Sequence, residues 1–87
     1  MLPTFYVAEN TVSSKISVNK LVSRISEKNN VVVKNGLLEF YDGNSRVQIN
    51  RLNDNTFKIA AKAVTVEAAR EIVGGLTEII SGYLTWH

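Results

Sequence analysis

Apolar residues recur along this chain with two different periods, and each period predicts an element. In "TFYVAE" the aromatic and β-branched residues alternate sides, Phe5 and Val7 against Tyr6 and Ala8, which predicts a first strand. From Ser17 the period lengthens: Val18, Leu21, Val22 and Ile25 form the i, i+3, i+4, i+7 stripe of a helix, with Lys20, Arg24, Glu27 and Lys28 off it. Ser14 or Ser17 is placed to cap this helix, and Asn29 and Asn30 to end it.

Alternation then returns. "VVVK" leads through Asn35 and Gly36, a two-residue hairpin signal, into "LLEFYD", and Asp42, Gly43 and Asn44 make the next turn. Read alone, "VVVKNGLLEF" is either a hairpin or one bent strand. In "SRVQINRL", Val47 and Ile49 oppose Arg46, Gln48 and Asn50; after "NDNT", Phe57, Ile59 and Ala61 oppose Lys58, Ala60 and Lys62. Thr65 is the expected N-cap of a last helix, with Glu67 and Glu71 toward the positive end of its dipole. The order strand, helix, strands, helix predicts one α+β domain over residues 1–87. It has two layers: an antiparallel sheet of three to four strands and two helices on one face.

The last helix contains a contradiction. Ala69, Ile72, Val73, Leu76, Ile79, Ile80, Tyr83 and Leu84 form a broad apolar surface, yet Gly74, Gly75 and Gly82 interrupt it. A glycine inside a helix costs about 0.5–1 kcal/mol relative to alanine. Ala68, Gly75 and Gly82 fall seven residues apart and predict a shallow groove of small residues. Either the chain's own first helix or sheet fills that groove, or a partner helix does, with Ile72, Leu76, Ile79 and Tyr83 beside it. Tyr83 and Trp86 belong to residue types enriched at interfaces, and both also suit a cap on the domain's own core.

Composition narrows the chemistry. With 87 residues, 45% of them hydrophobic, the chain is a small domain near the size at which a second subunit often completes the burial. It has no cysteine, which excludes disulfides and thiolate metal sites, and no signal-like or membrane-length apolar run, so a soluble, cytoplasmic protein without membrane contact is expected. The single histidine is His87, at the end of the sequence, so an oriented imidazole base is not expected. Glu39, Asp42 and Asp54 lack the spacing of a carboxylate metal loop, no serine has a paired base, and Gly74–Gly75 follows no strand as a phosphate loop would. No enzyme activity, metal or cofactor is expected.

A net charge of +2 does not announce nucleic acid, so placement matters. The wet face of the last two strands offers Arg46, Lys58 and Lys62 with Gln48 and Asn50 between them, and Arg51 and Lys34 toward the rim. Such a set suits phosphate contacts without sequence readout; it equally suits a lysine-rich face that keeps a sheet soluble.

From Ser45 onward, Ser45–Arg46, Ile59 with Ala61, Ala68–Ala69–Arg70, and Ser81 with Tyr83–Leu84 resemble the small dimerising subunit of the KEOPS complex, which installs threonylcarbamoyl-adenosine in tRNA. The resemblance covers about half the chain. It implies a non-catalytic scaffold, homo- or heterodimeric, docked through its helices on the KEOPS catalytic subunit or paired with a paralogous small subunit. It also implies a basic surface that helps to hold tRNA. Under this expectation Ala68, Ile72, Gly75, Leu76, Ile79, Gly82 and Tyr83 bind the partner, and Arg46, Arg51, Lys58 and Lys62 meet the nucleic acid. The contrasting expectation is a stand-alone small nucleic-acid-binding protein that uses the sheet face.

Overall fold

The computed structural model describes residues 4–82. Seven elements follow in the order β1 (Tyr6–Ser13), α1 (Val18–Ile25), β2 (Val32–Lys34), β3 (Leu37–Asp42), β4 (Ser45–Asn53), β5 (Thr56–Ala63) and α2 (Val66–Ser81). The strands form one antiparallel sheet in the order β1-β5-β4-β3-β2. The α+β class and strand–helix–strands–helix order hold, but the sheet has five strands rather than three or four.

The additional strand comes from "VVVKNGLLEF", which is a hairpin. Asn35 and Gly36 both adopt positive φ, 53° and 81°, the backbone of the tight turn that matches strand twist, and Lys34 pairs with Leu37 across it. The other two hairpins close equally tightly, Asp42 opposite Ser45 and Asn53 opposite Thr56. In the latter, the Asn53 side-chain oxygen accepts from the Asn55 amide at 2.8 Å.

One face of the sheet is the core. Val12, Phe57, Ile59, Ala61, Val47, Ile49, Leu38 and Phe40 are buried there, joined by Leu21 and Ile25 of α1 and Val73, Leu76 and Ile80 of α2. Both helices therefore cover the same side. Phe57, Leu21, Leu38, Ile49, Ile59 and Ile80 are essentially fully enclosed, and each contributes about 1.5–3 kcal/mol by leaving water. α2 lies along β1 and β5, while the shorter α1 sits toward β3, where the Asn29 amide donates to the Tyr41 carbonyl at 3.1 Å.

Capping sets the helix limits. Ser17 caps α1 by accepting from the Lys20 amide at 3.1 Å, and the helix ends at Ser26, before Asn29. Ser14 acts elsewhere. Its hydroxyl donates to the Ile80 carbonyl and accepts from the Ile16 amide, which ties the end of α2 to the chain leaving β1. Thr65 caps α2 as expected, accepting from the Ala68 amide at 3.1 Å. Gly82 corrects the groove assignment: it is the left-handed C-cap of α2 (φ 81°), its amide donating to the Glu78 and Ile79 carbonyls. The seven-residue repeat of small positions therefore ends at Gly75, and Tyr83, Leu84, Trp86 and His87 lie outside the described residues.

Candidate functional site: a cleft between the helices

The two remaining glycines of α2 look into different spaces. Gly75 lines a cleft of about 620 Å3 between α1 and α2. Gly74 lines a groove on the opposite flank of α2, between it and the edge strand β1. Adjacent helical residues point about 100° apart, which is why neighbours in sequence serve separate surfaces.

The cleft exists because α1 is only eight residues long and does not reach α2 along the whole sheet. Its floor is Phe40 of β3 and Ser45 of β4. One wall is Ile25 of α1; the other is Ala68, Ile72, Gly75, Leu76 and Ile79 of α2. These five fall at i, i+4, i+7, i+8 and i+11 and share one helix face. They are also five of the seven residues assigned to a partner from the sequence; of the other two, Gly82 caps the helix and Tyr83 is outside the described residues. Arg24, Glu27, Lys28, Asn29, Asp42 and Glu71 form a rim of mixed charge.

Gly75 is exposed, and a Cβ built on it meets nothing within 4 Å; the same holds for Gly74. Among the described residues no helix or strand fills the space beside either glycine, so packing among them does not account for either. Ser45, missed by the sequence reading as a cleft residue, is the one buried polar residue among those described, at 9% exposure, and its hydroxyl has no hydrogen-bond partner there. Its position at the start of β4 turns it to the helix side, in the same alternation as Val47 and Ile49, and that alternation was the available signal.

The groove beside Gly74 is bridged instead. The Asn10 amide of β1 donates to the Thr77 hydroxyl at 3.0 Å, and that hydroxyl donates to the Val73 carbonyl at 2.7 Å. Asn10 and Thr77 thus close this groove with a direct bond.

The outer face of the sheet carries the charged residues in cross-strand rows. Tyr41, Arg46, Lys62 and Val7 pair successively across four strands, and Leu37, Asn50, Lys58 and Thr11 form a parallel row. Two of the cations have acidic partners: Arg46 bonds Glu39 through Nη2 at 2.7 Å and Nε at 3.2 Å, and Lys58 bonds Glu9 at 2.9 Å. Lys62 lies over the Phe5 ring, 5.0 Å from its centroid. Glu39 also accepts from Gln48 at 2.8 Å; this bond first, and Arg46 second, hold its carboxyl below the ordinary glutamate value. Glu39 in turn raises Arg46.

Arg51 is not with this set. It pairs with the buried Phe57, so it belongs to the helix side, and its guanidinium lies 5.6 Å from the Phe57 ring centroid. From there it donates to the carbonyls of Asn53 and Asp54 at 3.2 and 3.1 Å, fastening the β4–β5 turn. Strand alternation puts Arg51 on the side of Val47 and Ile49, away from the wet face at whose rim it was expected; the register shift comes only after it, between Arg51 and Asn53.

Among the described residues no three His, Cys, Asp or Glu side chains gather as a metal site, and no helix is long and apolar enough to cross a membrane. No protein-family model, curated protein or solved structure matches the chain.

Proposed function

We propose that this chain is a non-catalytic interaction subunit that receives a helix of a partner protein in the α1–α2 cleft. One observation carries the reading: Gly75 weakens α2 by about 0.5–1 kcal/mol, while the space its missing side chain leaves open is used by no other part of the described chain. Close approach by another backbone is the use that a helical glycine in an apolar wall serves best. Ile72, Leu76 and Ile79 supply apolar contact on either side.

The partner's identity comes from the resemblance of residues 45–87 to the small KEOPS subunit. On that reading the chain is a scaffold in a tRNA-modification complex, dimeric, and docked on the catalytic subunit or on a paralogous small subunit. Light scattering on the purified protein, alone and mixed with a KEOPS catalytic subunit, tests it. A dimer that enters a larger complex, lost in Gly75→Leu and retained in Gly74→Leu, supports the proposal. A monomer indifferent to that subunit overturns the KEOPS assignment.

The second reading is nucleic-acid binding by the outer face. Its support is the juxtaposition of Arg46 and Lys62 beside the exposed Tyr41, cations next to a stacking surface. Glu39 and Glu9 reduce the positive potential there, which makes this the weaker reading.

A further inference from the structure

We infer that the α1–α2 cleft binds a small, predominantly apolar, uncharged molecule whose single hydrogen-bonding group pairs with the Ser45 hydroxyl. The inference is independent of partner docking, because it concerns the isolated chain; a bound ligand and a docked helix would compete for the same walls.

Ser45 is the reason. The residue is nine-tenths buried on the cleft floor and its hydroxyl has no hydrogen-bond partner among the described residues, whereas buried polar groups in folded proteins are nearly always paired. A hydroxyl donates one hydrogen bond and accepts others, so it suits a ligand alcohol, carbonyl or amide alike. Phe40, Ile25, Ile72 and Leu76 surround it with apolar surface, and about 620 Å3 falls within the range of small-ligand clefts, about 300–1,000 Å3.

Charge on the rim selects against ions. Arg24 and Lys28 stand with Glu27, Asp42 and Glu71, so a headgroup of either sign meets like charge as well as opposite. A neutral polar group avoids both the repulsion and the desolvation cost of burying an ion.

The test is an amide-shift NMR titration of the full chain with 1-octanol, 1-chlorooctane and octanoate. Saturable shifts are expected with 1-octanol, centred on Ser45, Ile72 and Gly75, and octanoate should bind more weakly. Ser45→Ala should weaken 1-octanol about 3–10-fold, the value of one neutral hydrogen bond, and leave 1-chlorooctane unchanged. Gly75→Leu should abolish binding while Gly74→Leu, on the other flank of α2, retains it. The inference is overturned by absence of saturable binding, by preference for octanoate, or by 1-octanol binding that either Ser45→Ala or Gly75→Leu leaves intact. None of these outcomes bears on complex formation measured by light scattering, so the two proposals fail separately.

Discussion

Replacing Gly74 and Gly75 singly by alanine should make the isolated protein more stable. Both residues lie well inside α2, where glycine's backbone freedom is lost on folding, and alanine recovers about 0.5–1 kcal/mol at such a position. The opposing contribution would be a clash, and there is none: the added Cβ meets no heavy atom within 4 Å at either site. In a domain of this size 1 kcal/mol moves Tm by about 4–8 °C, so each variant should melt about 2–8 °C higher. Urea unfolding followed by far-UV circular dichroism is the assay, with an unchanged slope confirming that the same surface is exposed on unfolding. A lower midpoint for either variant would refute the reasoning, because it would mean that the chain itself packs against that glycine. Stabilisation at both sites, combined with loss of partner docking only for substitutions at Gly75, would separate the cost inside the chain from the use outside it.

Other consequences can be measured directly. Ser14→Ala removes the hydroxyl that joins the Ile80 carbonyl to the Ile16 amide and should cost about 1–2 kcal/mol by urea unfolding; an unaffected midpoint would show that this tie does not hold the end of α2. Because the Glu39 carboxyl titrates below its ordinary value, its contribution to stability is complete above the unfolded value and is lost as pH falls through the folded one. Gln48→Ala should move the Glu39 titration upward by carboxyl NMR, and no movement would contradict the assigned cause. If the outer face binds RNA, Lys58→Glu with Lys62→Glu should remove that binding and its steep salt dependence. Arg51→Ala, on the other side of the sheet, should leave RNA binding unchanged but loosen the β4–β5 turn, seen as faster amide exchange at Asn53 to Asn55.

Local pattern alone determined the elements of this protein other than β2, because each of those is specified by near neighbours; "VVVKNGLLEF" by itself fits a hairpin and one bent strand alike. The Thr65 cap, the stripe from Val18 to Ile25 and the alternation through Val47 and Ile49 require only a few adjacent residues to recognise, and together they imply two helices on one face of an antiparallel sheet. The stripe of Ala68, Ile72, Gly75, Leu76 and Ile79 was equally visible. What it lines was not, since a cleft depends on how far α1 stops short of α2, a distance between elements rather than a spacing within one. The same limit explains the misplaced residues. Arg51 turns with Val47 and Ile49 to the helix side, where it fastens the β4–β5 turn, Gly82 ends a helix whose apolar pattern continues, and Ser14 caps the far end of α2 across 66 residues of sequence. Alternation with Val47 and Ile49 turned Ser45 to the helix side, but only the tertiary structure put a cleft above it. A hydroxyl becomes a buried, unpaired group, and a glycine an open seat, only when the elements around them have been assembled in space.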